Sequence, residues 1–142
     1  MAIVSNCSLD QHASTRRDIP LDETQKALLR RGRFLLPHDR LLLDLVMKNR
    51  LSRRQVAMIL GLEPGTVTRR LQRLGQRLHD PLVLALTDSS CRLAPDYRQL
   101  GIEHFLQGLS STELADRHQI PRAHVRQMLA YIRGWHRGRS HV

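Results

Sequence analysis

The apolar residues in the first half of the chain recur at the spacing of amphipathic helices, in three segments that turn residues separate. The middle segment, SRRQVAMIL, opens on Ser52, and Gln55 three positions later completes the pattern of a capping box. The spacing predicts that Val56, Ile59 and Leu60 face a core. We therefore expect a short helix that begins directly after Ser52.

The sequence GLEPG separates this helix from the next one. Gly61 suits the left-handed conformation in which many helices end, and Pro64 suits the first turn of the following helix. At 100° per residue, Val67, Leu71 and Leu74 share one face of that following helix. The segment is thus predicted to form a helix, a tight turn and a helix that pack through their apolar faces.

Two short apolar runs, PLVLAL and CRLAP, come next and flank the turn residues TDSS. This arrangement is typical of a β-hairpin, and three helices followed by a hairpin is the order of elements in a winged helix. We therefore predict a mainly α fold that begins with a winged helix-turn-helix domain over residues 20–95. A flexible tail over residues 1–19, rich in polar residues, is predicted to precede it.

A repeat occupies the remaining third of the chain. A shift of 58 residues superposes the segment RLLLDLVMKNRLSRRQVAMILGLEPGTVTRRLQRL on the segment RQLGIEHFLQGLSSTELADRHQIPRAHVRQMLAYI. The matches fall where a helix-turn-helix keeps apolar or small residues: Leu51 with Leu109, Ser52 with Ser110, Ala57 with Ala115, Leu62 with Ile120, Val67 with Val125 and Leu71 with Leu129. The sequence therefore predicts a second helix-turn-helix unit with a basic tail over residues 96–142.

The charge of the chain narrows the class of partner. Lys and Arg number 23 against 13 Asp and Glu, which gives a formal net charge of +10, and 21 of the basic residues are Arg. This excess favours a polyanionic partner, although a GC-rich coding sequence would also raise the Arg content. The planar guanidinium binds both phosphate and the guanine edge through paired hydrogen bonds. Double-stranded DNA is the partner that we expect.

Other function classes lack their usual signatures. Cys7 and Cys91 are far apart, the eight His residues include no HExxH pattern, and no glycine-rich phosphate loop, nucleophile elbow or acidic metal cluster is present. We therefore expect no enzyme activity, no metal and no cofactor. The chain also has no apolar run of membrane-spanning length and no signal-peptide core, so we expect a soluble cytoplasmic protein with no membrane partner.

The outer face and margins of the third helix hold the residues predicted to contact bases, because Arg pairs with guanine and Gln with adenine. They are Gly65, Thr66, Thr68, Arg69, Gln72 and Arg73. Nearby arginines are expected to bind phosphates: Arg53, Arg54, Arg70 and Arg77. The matching surface of the second unit is predicted either to bind DNA or to form a dimer interface, through Arg122, His124, Arg126, Gln127 and Arg133.

Residues 36–95 resemble the N-terminal winged helix of LysR-type transcriptional regulators. The positions that carry the resemblance are Ala57, Val67, Arg70 with Leu71, Asp80-Pro81-Leu82 and Leu93-Ala94-Pro95. Residues 36–74 also resemble region 4 of bacterial sigma factors, at Leu36-Pro37, Leu51-Ser52 and Leu60-Gly61 through Leu71. The LysR resemblance ranks first because it accounts for the hairpin, although the wing segment TDSS carries no Arg or Lys. Both resemblances imply a helix that enters the major groove.

These observations lead to one function and two alternatives. We expect a sequence-specific, duplex-DNA-binding transcription regulator that acts as a homodimer and reads DNA through residues 64–76. The alternatives are a sigma-region-4-like adaptor that binds RNA polymerase, and the DNA-binding fragment of a transposase or invertase.

Overall fold

The computed structural model describes residues 21–140, with Ser140 described for its backbone alone. The predicted flexible tail over residues 1–19 lies outside the described residues. Within residues 21–140 the fold is mainly α, as predicted, with eight α-helices, one π-helical turn and no strand.

The chain forms two compact units that meet in sequence between Gly75 and Gln76, well before the predicted boundary at residue 95. The first unit contains α1 (Glu23–Gly32), α2 (Pro37–Met47), α3 (Arg53–Leu60) and most of α4 (Pro64–His79). The second unit contains the end of α4, then α5 (Pro81–Thr87), α6 (Pro95–Gly101), a π-helical turn (Ile102–Leu106), α7 (Ser111–His118) and α8 (Arg122–Ser140).

The predicted boundaries of α3 are confirmed. The N–H of Gln55 donates to Ser52 Oγ at 3.1 Å and the N–H of Ser52 donates to Gln55 Oε1 at 2.8 Å, which completes the capping box. Gly61 ends the helix in the left-handed region, at φ 67° and ψ 36°. The N–H of Leu62 then donates to the carbonyl of Ala57 at 2.9 Å. These contacts define the turn that leads from α3 into α4.

The core of the first unit is formed by α2, α3 and α4. Leu42, Val56, Ala57 and Val67 are its buried centre, and Leu71 packs at its margin. The predicted inner face of α4 is therefore confirmed, and the opposite face of that helix is directed to solvent.

One inward prediction in α3 is wrong. Ile59 is 59% exposed and Met58 is 79% exposed. Val56, Ala57 and Leu60 define the face that packs on the core, and at 100° per residue Ile59 is turned more than 100° from its centre. Consequently α3 presents two large apolar side chains to solvent.

The predicted β-hairpin is also wrong, because its first run is a helix. Asp80 caps α5 by accepting a hydrogen bond from the N–H of Leu82 at 2.9 Å, and Pro81 occupies the first turn. Val83 and Leu86 are fully buried at helical spacing. Thr87 of the TDSS segment is the last residue of α5, and Asp88, Ser89 and Ser90 form the turn that follows, in which Asp88 Oδ1 accepts the N–H of Ser90 at 2.9 Å. No wing is present in the described residues, so the winged part of the predicted fold class is wrong.

In the 58-residue repeat, α5 occupies the position of a helix of the first unit. The register extends further towards the N-terminus than the sequence match alone indicated: α5 is the counterpart of α1, and α6 is the counterpart of α2. The helix starts correspond in pairs, namely Asp22 with Asp80 as N-caps, Pro37 with Pro95 in the first turn and Ser52 with Ser110 as N-caps. Each unit therefore has the same four-helix order.

The turns of the two units also match in backbone detail. Gln119 ends α7 at φ 57° in the left-handed region, as Gly61 ends α3, and the N–H of Ile120 donates to the carbonyl of Ala115 at 3.1 Å. Before α3 and α7 the left-handed residues are Arg50 at φ 53° and Gly108 at φ 83°. The predicted repeat is thus confirmed at the level of local conformation, although most side chains differ.

Candidate nucleic-acid interface

The exposed face of α4 is basic and carries no carboxylate. Its sixteen residues include four Arg and neither Asp nor Glu. Arg69, Gln72 and Arg73 are all exposed, on the side opposite to the buried Val67. Exposed Arg and Gln side chains on one face of a helix are the groups that contact base edges in a major groove.

The start of α4 holds Arg69 close to the helix. Arg69 Nη2 donates to Thr66 Oγ1 at 3.2 Å, and Arg69 Nη1 would lie 3.6 Å from a Cβ atom built on Gly65. The guanidinium therefore lies back over the first turn of the helix. Because this hydrogen bond is exposed, it is weak enough to be exchanged for a bond to a base or a phosphate.

The two threonines of the predicted base-contacting set have local hydrogen bonds. Thr68 Oγ1 donates to the carbonyl of Pro64 at 3.1 Å, and Thr66 Oγ1 accepts the bond from Arg69. Since the Thr68 hydroxyl proton is used within the helix, Thr68 is a weaker donor to a base edge than Gln72, whose amide is exposed. Gly65 is exposed, so the outer face of the first turn has no side chain at that position.

Three of the four predicted phosphate contacts lie on the surface of the first unit. Arg53 and Arg54 occupy the first turn of α3, where no acidic residue is present, and both are exposed. Arg70 is exposed at the margin of α4. The N-terminal end of a helix favours anions, so the two arginines of α3 add to a field that already attracts phosphate.

Arg77 has a different position from the one that the sequence predicted. It is partly buried, and its Nη1 donates to the carbonyl of Leu106 at 2.9 Å. The same atom would lie 2.7 Å from a Cβ atom on Gly108, so a glycine there leaves room for the guanidinium. Arg77 therefore has a structural contact within the second unit, and we exclude it from the candidate interface.

The electrostatic field of the first unit is strongly positive. Between residues 21 and 75, Lys and Arg number 12 whereas Asp and Glu number five. Several of the acids have local partners: Asp22 caps α1, and Asp44 lies 3.8 Å from Lys48 Nζ. Partial burial, together with the charge of neighbouring Arg30, lowers the pKa of the Arg31 guanidinium. The excess of basic over acidic residues favours association with a polyanion.

In the second unit the structure places the predicted residues on the surface of α8. Arg122, His124, Arg126 and Gln127 are exposed. Arg133 is also exposed, and its guanidinium lies over the ring of Phe105, 5.2 Å from the centroid. The surface thus retains basic and amide groups, with one of its arginines held by an aromatic ring.

A buried carboxylate is the main polar feature that the sequence reasoning missed. Glu103 is 3% exposed, accepts a hydrogen bond from Gln99 Nε2 at 2.8 Å and has Oε2 2.7 Å from His118 Nε2. Under the 58-residue register Glu103 corresponds to Leu45 of the first unit. An acidic residue at a position that is apolar in the other unit was the sequence signal that could have identified it. Its partners identify a buried polar network that joins the π-helical turn to α7.

A metal centre and a membrane-spanning helix are two other kinds of feature that the described part of the chain does not form. Within residues 21–140, no group of three or more His, Cys, Asp or Glu side chains is arranged to hold a metal ion. In the same part of the chain, every helix is too short or too polar to cross a membrane.

Comparison with protein-family models, with curated proteins and with solved structures found no match for this chain.

Proposed function

We propose that this protein is a sequence-specific, duplex-DNA-binding regulator of transcription, and that α4 enters the major groove. The observation that carries the proposal is the exposed face of α4, where Arg69 and Gln72 stand on a helix that has four Arg and no carboxylate. Arg pairs with the O6 and N7 atoms of guanine and Gln with the N6 and N7 atoms of adenine, and each good pair discriminates by about 1–3 kcal/mol.

The remaining groups of the first unit have positioning roles in this proposal. Arg53 and Arg54 at the start of α3, with Arg70 on α4, bind the phosphates on either side of the groove and set the register of the helix. Arg73 contributes a base or phosphate contact from the margin. The resemblances to LysR-type regulators and to sigma region 4 support the same use of this helix, although the LysR wing is not present in the described residues. A homodimer would place two such helices on a two-fold symmetric operator.

Selection of bound sequences from a random duplex pool, followed by titration at several salt concentrations, tests the proposal. If about six phosphates are neutralised, log K falls against log salt with a slope of about 5 in magnitude. The selected sequences should contain a conserved guanine. A flat salt response, together with unchanged affinity in Arg69→Ala, would refute the proposal.

Substitutions at neighbouring positions separate base reading from charge. Arg69→Lys keeps the charge and removes the planar fork, so the salt slope should stay while discrimination at the guanine falls by about 1–3 kcal/mol. Arg70→Ala should reduce the slope by about 1 and leave the ranking of sequences unchanged. Arg30→Ala, which removes the same charge from the exposed surface of α1, is the matched control and should alter sequence discrimination at no position.

One observation supports a second candidate function, an adaptor that docks on RNA polymerase. Met58 and Ile59 are exposed on α3, whereas Asp116 and Arg117 occupy the matching positions of α7. The fold therefore does not require apolar residues there, and exposed apolar side chains are suited to a protein contact. Co-purification with the polymerase that is lost in the double variant Met58→Asp and Ile59→Arg would favour the adaptor. Sequence-specific shifts by the isolated protein would favour the regulator.

A further inference from the structure

The second unit presents a helix surface that corresponds to α4 position by position but has different chemistry. Under the 58-residue register, the outer positions of α4 correspond to exposed positions of α8 as follows: Gly65 to Ala123, Arg69 to Gln127 and Gln72 to Ala130. At 100° per residue these three positions of α8 lie opposite the buried Val125, Leu129 and Ile132. The centre of the exposed face thus has one amide between two methyl groups.

A row of positive charge borders this face on one side. Arg122, Arg126, Arg133 and Arg137 are all exposed and, at 100° per residue, lie along the same margin of α8. The nineteen residues of α8 include neither Asp nor Glu. A polyanion that follows the length of the helix would meet only positive charge on that side.

The opposite margin carries an aromatic contact. Tyr131 packs on Tyr97 of α6 with ring centroids 4.9 Å apart and remains 59% exposed, and Arg133 on the basic side lies over Phe105. Between these margins Ala123 and Ala130 have the smallest side chains, so a ligand can approach the backbone of α8 most closely at these two positions.

We propose that the second unit also binds duplex DNA and that α8 reads A·T base pairs in the major groove. Gln127 pairs with the N6 and N7 atoms of adenine, and the methyl groups of Ala123 and Ala130 contact the C5-methyl groups of thymine. Arg122 and Arg126 bind phosphates of one strand. This inference rests on the proposed function of the first unit, and it makes the full binding site composite, with a guanine-containing element and an A·T element.

Charge favours DNA over a second copy of the chain as the occupant of this face. Two copies that met through α8 would bring their arginine rows together without a carboxylate on either helix, and like charges that face each other at an interface oppose association. The phosphates of DNA neutralise the same row, and small side chains allow a helix to lie deep in a groove.

The test uses the full-length protein and a composite site selected from a random duplex pool. Gln127→Ala should weaken binding to that site roughly tenfold, and Arg126→Ala should reduce the magnitude of the salt slope by about 1. Arg92→Ala, which removes an exposed charge outside α8, is the matched control and should preserve the preference for the A·T element. Circular dichroism establishes that each variant is folded.

Replacement of thymine by deoxyuridine in the A·T element removes only the C5-methyl groups. It should weaken binding of the unmodified protein severalfold and have a smaller effect on the double variant Ala123→Ser and Ala130→Ser. Unchanged affinity for both DNAs, with unchanged binding in Gln127→Ala and Arg126→Ala, overturns the inference. If these α8 variants instead shift the protein from dimer to monomer, the face is an interface between copies and the inference is likewise overturned.

The two proposals fail in distinguishable ways. If Arg69→Lys loses discrimination at the guanine and the α8 variants have no effect on binding, the proposed function stands and the composite site is overturned. No effect of substitutions on α4 or α8, together with a flat salt response, refutes both.

Discussion

Exchange of the residues at two matching turns tests whether the two units have the same backbone conformation there. Gly61 between α3 and α4 and Gln119 between α7 and α8 both adopt the left-handed conformation, at φ 67° and φ 57°. Only glycine adopts this conformation without a steric cost at Cβ. The perturbations are Gly61→Gln, which introduces the residue of the second unit, and Gln119→Gly, which introduces the residue of the first.

The expected magnitude follows from the surroundings of each residue. A Cβ atom on Gly61 would meet no atom within 4 Å, so the cost of Gly61→Gln is the backbone term alone. A non-glycine residue in this region costs about 1–2 kcal/mol, and the lower entropy of the unfolded chain returns about 0.4–1 kcal/mol. We therefore expect Gly61→Gln to lower the free energy of unfolding by about 1 kcal/mol.

The reverse substitution should have the opposite sign. Gln119→Gly removes the left-handed strain but also an exposed hydrogen bond, in which Gln119 Nε2 donates to the carbonyl of Asp116 at 3.3 Å. Such a bond contributes about 0.5 kcal/mol, and the higher entropy of the unfolded chain with glycine costs about 0.4–1 kcal/mol, so the net gain should be about 0.5 kcal/mol. Urea denaturation followed by far-ultraviolet circular dichroism measures both changes as shifts in midpoint at constant slope. If Gly61→Gln is as stable as the unmodified protein, or if Gln119→Gly is destabilised, the left-handed assignment of the turns is wrong.

Three further substitutions test contacts of the second unit by the same denaturation assay. Asp80→Ala should lower the free energy of unfolding by about 1 kcal/mol, because the cap on the N–H of Leu82 is lost, and a neutral result would contradict the start of α5. Glu103→Ala should lower the free energy of unfolding by about 2 kcal/mol, because His118 and Gln99 lose their buried hydrogen-bond partner. A variant as stable as the unmodified protein would mean that Glu103 is exposed to solvent. Arg77→Ala should lower the free energy of unfolding by about 1 kcal/mol, because the hydrogen bond to the Leu106 carbonyl is lost. The salt slope of DNA binding should stay the same, and a slope smaller by about 1 would show that Arg77 contacts a phosphate.

Local sequence signals predicted the helix-turn-helix part of each unit well. Ser52 and Gln55 form the predicted capping box, and Gly61 has the predicted left-handed conformation, because each depends on atoms within a few residues of the chain. The 58-residue repeat was visible for the same reason, since its caps and turns are short-range features. The same kind of signal placed Arg69 and Gln72 on the exposed face of α4.

The errors arose where the sequence was ambiguous at short range. The run PLVLAL is apolar throughout, and such a run is compatible with a buried strand or a buried helix. Asp80 and Pro81 were the available helix-start signal, and the repeat register, extended back to Asp22, would have identified α5 as the counterpart of α1. The prediction for Ile59 was wrong because α3 is short and its apolar residues allow more than one choice of buried face. Only the packing of α3 against the core shows which of them are buried.

The sequence by itself determined the features that neighbouring residues settle: the caps, the left-handed turns, the repeat and the basic outer face of α4. The tertiary structure alone decided the features that depend on helix packing, such as the exposure of Ile59 and the partial burial of Arg77. Arg77 illustrates the difference, because its partner, the carbonyl of Leu106, is 29 residues away in the chain. A contact at that separation is formed only when the helices pack, and no pattern of adjacent residues encodes it.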